Sequence, residues 1–182
     1  METSLMRLDP TGADREPLVT FLTSNEFPFH VGVRRTAAEV GRAIDAGAYR
    51  DGDNDSYWVE HEQLGRVGLL RFEELSDGNP MFDLRLAESM RGRGLGAEAL
   101  RAATAHIFTS MPDVHRFEGQ TREDNIAMRR TFLRCGFLKE AHYRQGWPVT
   151  GGAPVASVAY AILRGDWQTG VTTPFTWEDL TR

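Results

Sequence analysis

Residues 84–96 read LRLAESMRGRGLG and join a strand pattern to the start of a helix. From Phe82 to Leu86 apolar and polar residues alternate, which is typical of a strand with one buried face. From Gly94 onward apolar residues recur at helical spacing until Pro112. A strand, a glycine-rich bend and a helix in this order predict that backbone N–H groups at the start of the helix face an anion.

Three other interpretations of the glycine-rich bend fit its residues less well. A dinucleotide-binding fingerprint requires G-x-G-x-x-G, whereas the glycines at 92, 94 and 96 give G-x-G-x-G. A P-loop requires a lysine that the bend lacks. A flexible connector accounts for the glycines but not for Arg91 and Arg93 between them. The pattern therefore favours a phosphate cradle.

The length and composition predict one globular domain. The chain has 182 residues, of which 41% are hydrophobic and 26% are charged, as in ordinary soluble domains. We expect a single domain over 1–182, with a core of about 5–165 and an irregular tail over 166–182. With 26 acidic and 21 basic residues, the net charge of -5 argues against a nucleic-acid partner.

Sorting signals and membrane segments are not apparent in the sequence. The first residues have neither a basic nor an apolar region, and one cysteine, Cys135, cannot form an internal disulfide. No apolar run approaches the roughly 18 residues that a membrane helix needs. These observations predict a cytoplasmic protein without a membrane partner.

The order of patterns along the chain predicts a mixed α/β (α+β) fold around one sheet. A strand near Leu5 is followed by two helices and several antiparallel strands, and then by the strand and helix of residues 82–112. A strand over 115–121, a helix from Asn125 to Arg134 and two further strands complete the order.

Two motifs in this order resemble the GNAT superfamily of acyl-CoA-dependent N-acetyltransferases. The first is Arg91-x-x-Gly94-x-Gly96 after a strand, and the second, about thirty residues later, runs from Asn125 through a short helix to Gly136-Phe137. The second segment is most similar to the RimJ/RimL-like branch. The resemblance implies a single mixed, mostly antiparallel sheet of about six to seven strands flanked by helices, with the strands 82–86 and 115–121 splayed apart around a thioester.

The resemblance also implies acetyl-CoA as cosubstrate and no metal. Backbone groups of the first motif's strand would bind the pantetheine arm, and the glycines and arginines after it would hold the pyrophosphate. Asn125 would bind near the pantetheine, although an ordinary helix cap explains it equally well. The residues implied to bind the cofactor are Leu84, Arg85, Leu86, Arg91, Gly92, Arg93, Gly94, Leu95, Gly96, Asn125 and Arg130.

The implied reaction needs a general base, because an amine that is charged at neutral pH must lose a proton before it attacks the thioester. Strand alternation places Glu118 with Gln120 on one face beside the acceptor gap, so Glu118 is the first candidate. The alternatives are Asp83, Glu140 and His142.

A general acid is harder to find in the sequence. Several relatives carry a Tyr seven residues after the Asn, where this chain has Phe132, and some RimL-like enzymes use a Ser three residues after it, where this chain has Met128. A water molecule, Tyr143 or Cys135 could replace them. The missing groups also leave a second function open, a non-catalytic acyl-CoA-binding module that senses or regulates.

The acceptor amine is the least determined part of the sequence analysis. RimJ/RimL-like relatives acetylate protein N-termini, and others in the branch acetylate small-molecule amines. By resemblance, Tyr143, Trp147 and the predicted loop over residues 146–153 would border the acceptor site. The same relatives often form homodimers, so a homodimer is compatible with the resemblance.

Overall fold

The computed structural model describes residues 3–177 and contains seven strands and five helices in that range. A short 3-10 turn, Glu88–Met90, precedes α3. The elements are β1 (Thr3–Arg7), α1 (Arg15–Ser24), α2 (Ala37–Asp45), β2 (Asp55–His61), β3 (Gly65–Glu73), β4 (Met81–Leu86), α3 (Leu95–Ser110), β5 (Arg116–Arg122), α4 (Ile126–Arg134), β6 (Leu138–Trp147), β7 (Val155–Leu163) and α5 (Arg164–Thr169).

The strands form two antiparallel sheets, one in the order β1-β2-β3-β4 and one in the order β5-β7-β6. The prediction of a mostly antiparallel arrangement of six to seven strands flanked by helices is confirmed. The strands separate between β4 and β5, which is where we expected the splay. Because no ladder of hydrogen bonds joins these two strands in the described chain, the strands form two sheets and not the single sheet that we expected.

The two faces of the first sheet pack into separate apolar clusters. Alternation along β2 sends Trp58 toward α1 and α2, while its neighbour Val59 joins the larger cluster that contains α3, α4 and residues of both sheets. Both side chains have no exposed surface. The larger cluster therefore connects the two sheets across the place where their strands separate.

The separation of β4 from β5 begins at one backbone contact. The Glu118 N–H group donates to the Pro80 carbonyl at 3.1 Å, and within the described range no strand ladder joins β4 to β5 beyond it. Side chains of both strands, including Leu84 and Thr121, line a cavity in this place. Within residues 3–177, the splay leaves backbone groups on the facing edges of the two strands without backbone partners, next to open space.

Gly119 allows the aromatic core to approach β5 directly. A side-chain carbon at this position would lie 2.6 Å from Phe82 Cε1 and 2.8 Å from Phe132 Cζ.

Because both rings are held in a packed cluster, we expect Gly119→Ala to lower the free energy of unfolding by about 1–3 kcal/mol, measured by urea denaturation. Gly165→Ala is the matched control, since a carbon there meets no atom within 4 Å. Equal losses in both variants would contradict the packing argument.

The C-terminal part of the chain is more ordered than the sequence indicated. The expected irregular tail instead begins with α5, and Trp167 packs on Phe108 with their ring centroids 5.4 Å apart. Arg164 fixes this turn because its guanidinium donates to three carbonyl groups around the end of α3. Residues 178–182 of the expected tail lie outside the described residues.

A second correction concerns β6, which continues to Trp147 and so includes the beginning of the segment 146–153 that we expected to be a loop.

No helix within residues 3–177 has the length and apolar character needed to cross a membrane.

Candidate functional site

Two cavities meet where β4 and β5 separate. The first, of about 400 Å³, lies along the glycine-rich bend and α4, and we call it the glycine-loop cleft. The second, of about 330 Å³, lies between β4, β5 and the segment 25–36 that connects α1 to α2, and we call it the charged cavity. The residues that line both are Phe29, His30, Leu84, Arg85, Asn125 and Met128.

The glycine-rich bend has the geometry of an anion-binding helix start. Gly92 and Gly94 have φ angles of 75° and 86°, a left-handed conformation that favours glycine, and Gly94 caps α3. A side-chain carbon at either position would meet no atom within 4 Å, so the space beside this backbone is open. The Ala97 N–H donates to the Gly94 carbonyl at 3.0 Å, and the N–H groups before it have no partner within the helix, which leaves them available for phosphate oxygens.

Most residues that the resemblance implied for the cofactor line the glycine-loop cleft. Arg93 and Leu95 are not among its lining residues, since Arg93 is exposed and Leu95 is only 3% exposed within the core. The bend therefore directs alternate residues away from the cleft. The implied residues that do line it are Leu84, Arg85, Leu86, Arg91, Gly92, Gly94, Gly96, Asn125 and Arg130.

Arg91 holds the wall of the cleft in place. Its Nε donates to the Leu86 carbonyl at 3.1 Å, and its Nη2 donates to the Glu26 carbonyl. The guanidinium also lies 5.5 Å from the centroid of the Phe27 ring. Arg91 thus joins the connecting segment 25–36 to the end of β4, where both cavities begin.

Asn125 has the capping role that the sequence left open beside a role in binding the cofactor. Its Oδ1 accepts from the Met128 N–H at 3.2 Å, so it caps α4, and its Nδ2 donates to Thr121 Oγ1 at 3.0 Å. It also lines both cavities. The cap therefore holds α4 with its first turn at the junction of the cavities.

Asp83 is the centre of an ionic network in the charged cavity. Arg85 donates to Asp83 Oδ2 from Nη2 at 2.8 Å and from Nε at 3.1 Å, and His30 Nε2 lies 2.9 Å from Oδ1. Burial by itself raises the pKa of the Asp83 carboxyl, but His30 and Arg85 outweigh burial and hold that pKa far below its ordinary range. Asp83 is therefore a fixed anion that orients its neighbours and is a weak proton acceptor itself.

His30 is a site residue that the sequence analysis missed. It lies in the segment 25–36, where no helical or strand pattern marks it, and its partner Asp83 is distant in the chain. With Nε2 toward Asp83, its Nδ1 is buried and has no hydrogen-bond partner among the described residues. A carboxylate that orients a histidine whose other nitrogen is free is an arrangement suited to general base catalysis.

Glu118 is placed differently from the sequence expectation. Its carboxylate accepts from Arg116 Nη2 at 2.6 Å and from Gln120 Nε2 at 3.3 Å, and among the described residues it is not part of the lining of either cavity. Glu118 lies where β5 still contacts Pro80, before the strands separate. Gln120, two residues later on the same face, does line the charged cavity.

The other side-chain candidates for proton transfer are not among the described residues that line the glycine-loop cleft or the charged cavity. Tyr143 is half exposed on β6, Glu140 pairs with Arg116, and His142 is exposed with its Nε2 3.9 Å from Glu123. Burial raises the pKa of the Cys135 thiol, so it stays protonated, and its Sγ contacts the Ala97 carbonyl at 3.4 Å.

Phe132 and Met128 occupy the positions where relatives carry hydroxyl groups. The Phe132 ring is fully buried and stacks on Tyr160, with centroids 4.7 Å apart and an angle of 4° between the rings. Met128 lines both cavities and places a thioether at their junction. Neither position supplies a proton.

Comparison with known proteins relates this chain to one family and to several solved structures. Residues 5–138 match the family model described as an acetyltransferase (GNAT) domain. A solved chimera of the spermidine N-acetyltransferase SpeG from Vibrio cholerae and hSSAT superposes with a TM-score of 0.78 at 17% identity, covering 93% of this chain and 99% of that one. A mutant of SpeG from Vibrio cholerae gives 0.75 at 16%, covering 93% and 98%.

A third structure, the spermidine/spermine N-acetyltransferase SpeG from Vibrio cholerae in complex with manganese ions, gives a TM-score of 0.73 at 17% identity, covering 93% of this chain and 96% of that one. At these identities the likeness shows a shared fold. The family match covers well over half of the chain, including both motifs and β4. The chain therefore belongs to the GNAT acetyltransferase family and is an acyltransferase of that type.

Proposed function

We propose that this protein transfers the acetyl group of acetyl-CoA to a primary amine, with both substrates bound at once. The observation that carries the proposal is the meeting of the two cavities at the separated strands, where Leu84, His30 and Met128 line both. A cofactor in one cavity and an amine in the other would be in direct contact there. Acetyl-CoA supplies an activated acyl thioester, so no covalent enzyme intermediate is needed.

The glycine-loop cleft suits coenzyme A because it combines open backbone with positive charge. The N–H groups at the start of α3 would bind the pyrophosphate, and the exposed Arg130 and Arg134 on α4 could pair with phosphate oxygens. Arg91 supports the wall of this cleft through its carbonyl contacts. The unpaired backbone of the separated strands would polarise the thioester carbonyl.

His30 and Asp83 support the proton transfer that the reaction requires. His30 Nε2 lies 2.9 Å from Asp83 Oδ1, and in the tautomer with the proton on Nε2 the Nδ1 lone pair would take a proton from the incoming ammonium group. Glu118 remains the alternative base proposed from the sequence. The described site offers no side-chain acid at the Phe132 or Met128 positions, so we assign protonation of the leaving thiolate to water.

Release of free thiol from acetyl-CoA in the presence of an amine panel tests the proposed function, with the acetylated amine identified by mass spectrometry. We expect release only when an amine is present. Binding of coenzyme A in calorimetry with no thiol release across the whole panel would instead support the non-catalytic binding module.

Arg130→Ala tests the placement of coenzyme A. Because a charge-assisted contact to a phosphate would be lost, we expect the KM for acetyl-CoA to rise about tenfold with little change in kcat. The difference should shrink at high salt, since exposed charges are screened. Arg42→Ala, an exposed arginine on α2 outside both cavities, is the matched control. Equal KM values for the two variants would show that Arg130 does not meet the cofactor.

A further inference from the structure

We infer that the acceptor is a small primary amine that carries a carboxylate, as an α-amino acid does, and that the arginines of the charged cavity bind this carboxylate. The inference rests on the proposed function, because it identifies the amine of that reaction. It follows from three observations: buried donors without partners, the balance of charge in the cavity wall, and the order of the residues along the two cavities.

Two guanidinium groups in the charged cavity have buried nitrogen atoms without a partner among the described residues. These are Arg71 Nε and Arg85 Nη1. Arg85 is only 7% exposed, and its other two nitrogens are engaged by Asp83. Arg71 uses Nη1 on the Ala48 carbonyl at 3.0 Å and Nη2 on Glu73. A buried N–H donor without an acceptor is unfavourable, so these groups are suited to a ligand that brings oxygen acceptors.

The charge in the wall of the cavity favours an anion. Asp83 balances Arg85 and Glu73 balances Arg71, and the third lining arginine, Arg35, has no carboxylate partner within residues 3–177. The cavity therefore has a positive excess even though the chain as a whole is acidic. This local balance would repel a polyamine and attract an acidic group.

The residues along the two cavities indicate different positions for the amine and for the carboxylate of the acceptor. His30 lines both cavities, whereas Arg35, Arg71 and Glu73 line only the charged cavity, away from the glycine-loop cleft. An amine near His30 would face the thioester, and a carboxylate on the same small molecule would reach toward Arg71. A protein N-terminus has a peptide bond in place of this carboxylate, so it would leave the buried donors without a charged partner.

Matched pairs of substrates test the inference. L-Leucine and L-phenylalanine are compared with L-leucinamide and L-phenylalaninamide, at concentrations of free amine held equal, with spermidine as a polyamine. We expect kcat/KM to be at least about tenfold higher for each acid than for its amide, because a charge-assisted contact is lost. Amides or spermidine used as well as the acids would overturn the inference and leave the proposed acetyl transfer intact.

Arg35→Gln should reduce the preference for acid over amide about tenfold, because the charge that is removed acts on the carboxylate. Arg34→Gln is the matched control, because Arg34 is 75% exposed, pairs with Glu26 and lies outside the described lining of the cavity. Arg35 has no ion pair to lose in the described chain, so its replacement should leave the fold intact. An unchanged preference in Arg35→Gln and in the second variant, Arg71→Gln, would overturn the assignment of these arginines.

Binding without turnover separates this inference from the proposed function. Calorimetry with the coenzyme A-loaded protein compares N-acetyl-L-leucine with N-acetyl-L-leucinamide. Preferential binding of the acid supports the inference even where no thiol is released, a combination that would contradict the proposed function alone. Equal binding, or no binding of either compound, overturns the inference whatever the thiol assay shows.

Discussion

Replacement of His30 by glutamine is expected to lower kcat for acetyl transfer by about 10²-fold or more, the usual contribution of a positioned general base. Glutamine keeps a polar group against Asp83 but cannot accept the proton of the ammonium group. The rate is also measured over a range of pH, and the loss should be largest where the amine is charged and should shrink as pH rises and free amine becomes abundant.

His142→Gln is the control for this measurement, since His142 is exposed on β6 outside both cavity linings. Glu118→Gln is the competing variant and is measured over the same pH range. A loss of rate below about pH 8 in Glu118→Gln, with a normal profile in His30→Gln, would contradict the assignment to His30 and restore Glu118 as the base.

Asp83→Asn is expected to destabilise the fold by about 3–5 kcal/mol, the range found when one partner of a buried ion pair is removed. The asparagine would leave the Arg85 guanidinium buried without a charged partner. Urea denaturation at neutral pH measures the loss. Removal of both charges in Asp83→Asn/Arg85→Gln should be less destabilising than the single change, and a more severe loss in the double variant would contradict this account.

Asp124→Asn is a matched control, because Asp124 also pairs with an arginine two residues away, Arg122, at 2.6 Å. Its side chain is 48% exposed, whereas that of Asp83 is 16% exposed, so we expect a loss of no more than about 1 kcal/mol. Equal losses at the two positions would show that burial does not determine the strength of the pair.

The pairing of Asp83 with Arg85 makes the stability of the fold depend on pH. Since the folded-state pKa of Asp83 lies below its unfolded value, its contribution is complete above the unfolded pKa and decreases as pH falls toward the folded one. The unfolding free energy of the wild-type protein should therefore decline below about pH 5, and the slope should be shallower in Asp83→Asn.

The sequence predicted the elements well where a pattern is local. The alternation from Phe82 to Leu86, the glycines before α3 and the Asn125 cap all appear in the structure as expected. Each depends on residues within one turn or one strand, which is the range over which periodicity and capping act. The helix α5 was missed because Arg164 fixes it through carbonyls that lie far away in the chain.

The chemistry of the acceptor site depends on long-range placement and could be predicted only in part. Alternation correctly put Glu118 and Gln120 on one face of β5. It could not show where β5 leaves β4, and that point lies just after the Glu118 contact with Pro80, so Gln120 lines the cavity and Glu118 does not. The pairing of His30 with Asp83 likewise depends on how the segment 25–36 returns over the sheet.

The stacking of Phe132 on Tyr160 limits how this enzyme could change during evolution. The para carbon of the Phe132 ring would carry the hydroxyl group of a tyrosine. It lies within the apolar cluster against β5, 2.8 Å from where a side-chain carbon would stand if residue 119 were not glycine. The change from Phe132 to tyrosine adds a single oxygen atom. It would nevertheless require the chain around Phe82 and Gly119 to repack before the hydroxyl could act as an acid. A hydroxyl at position 132 would therefore have to come with compensating changes in the aromatic cluster.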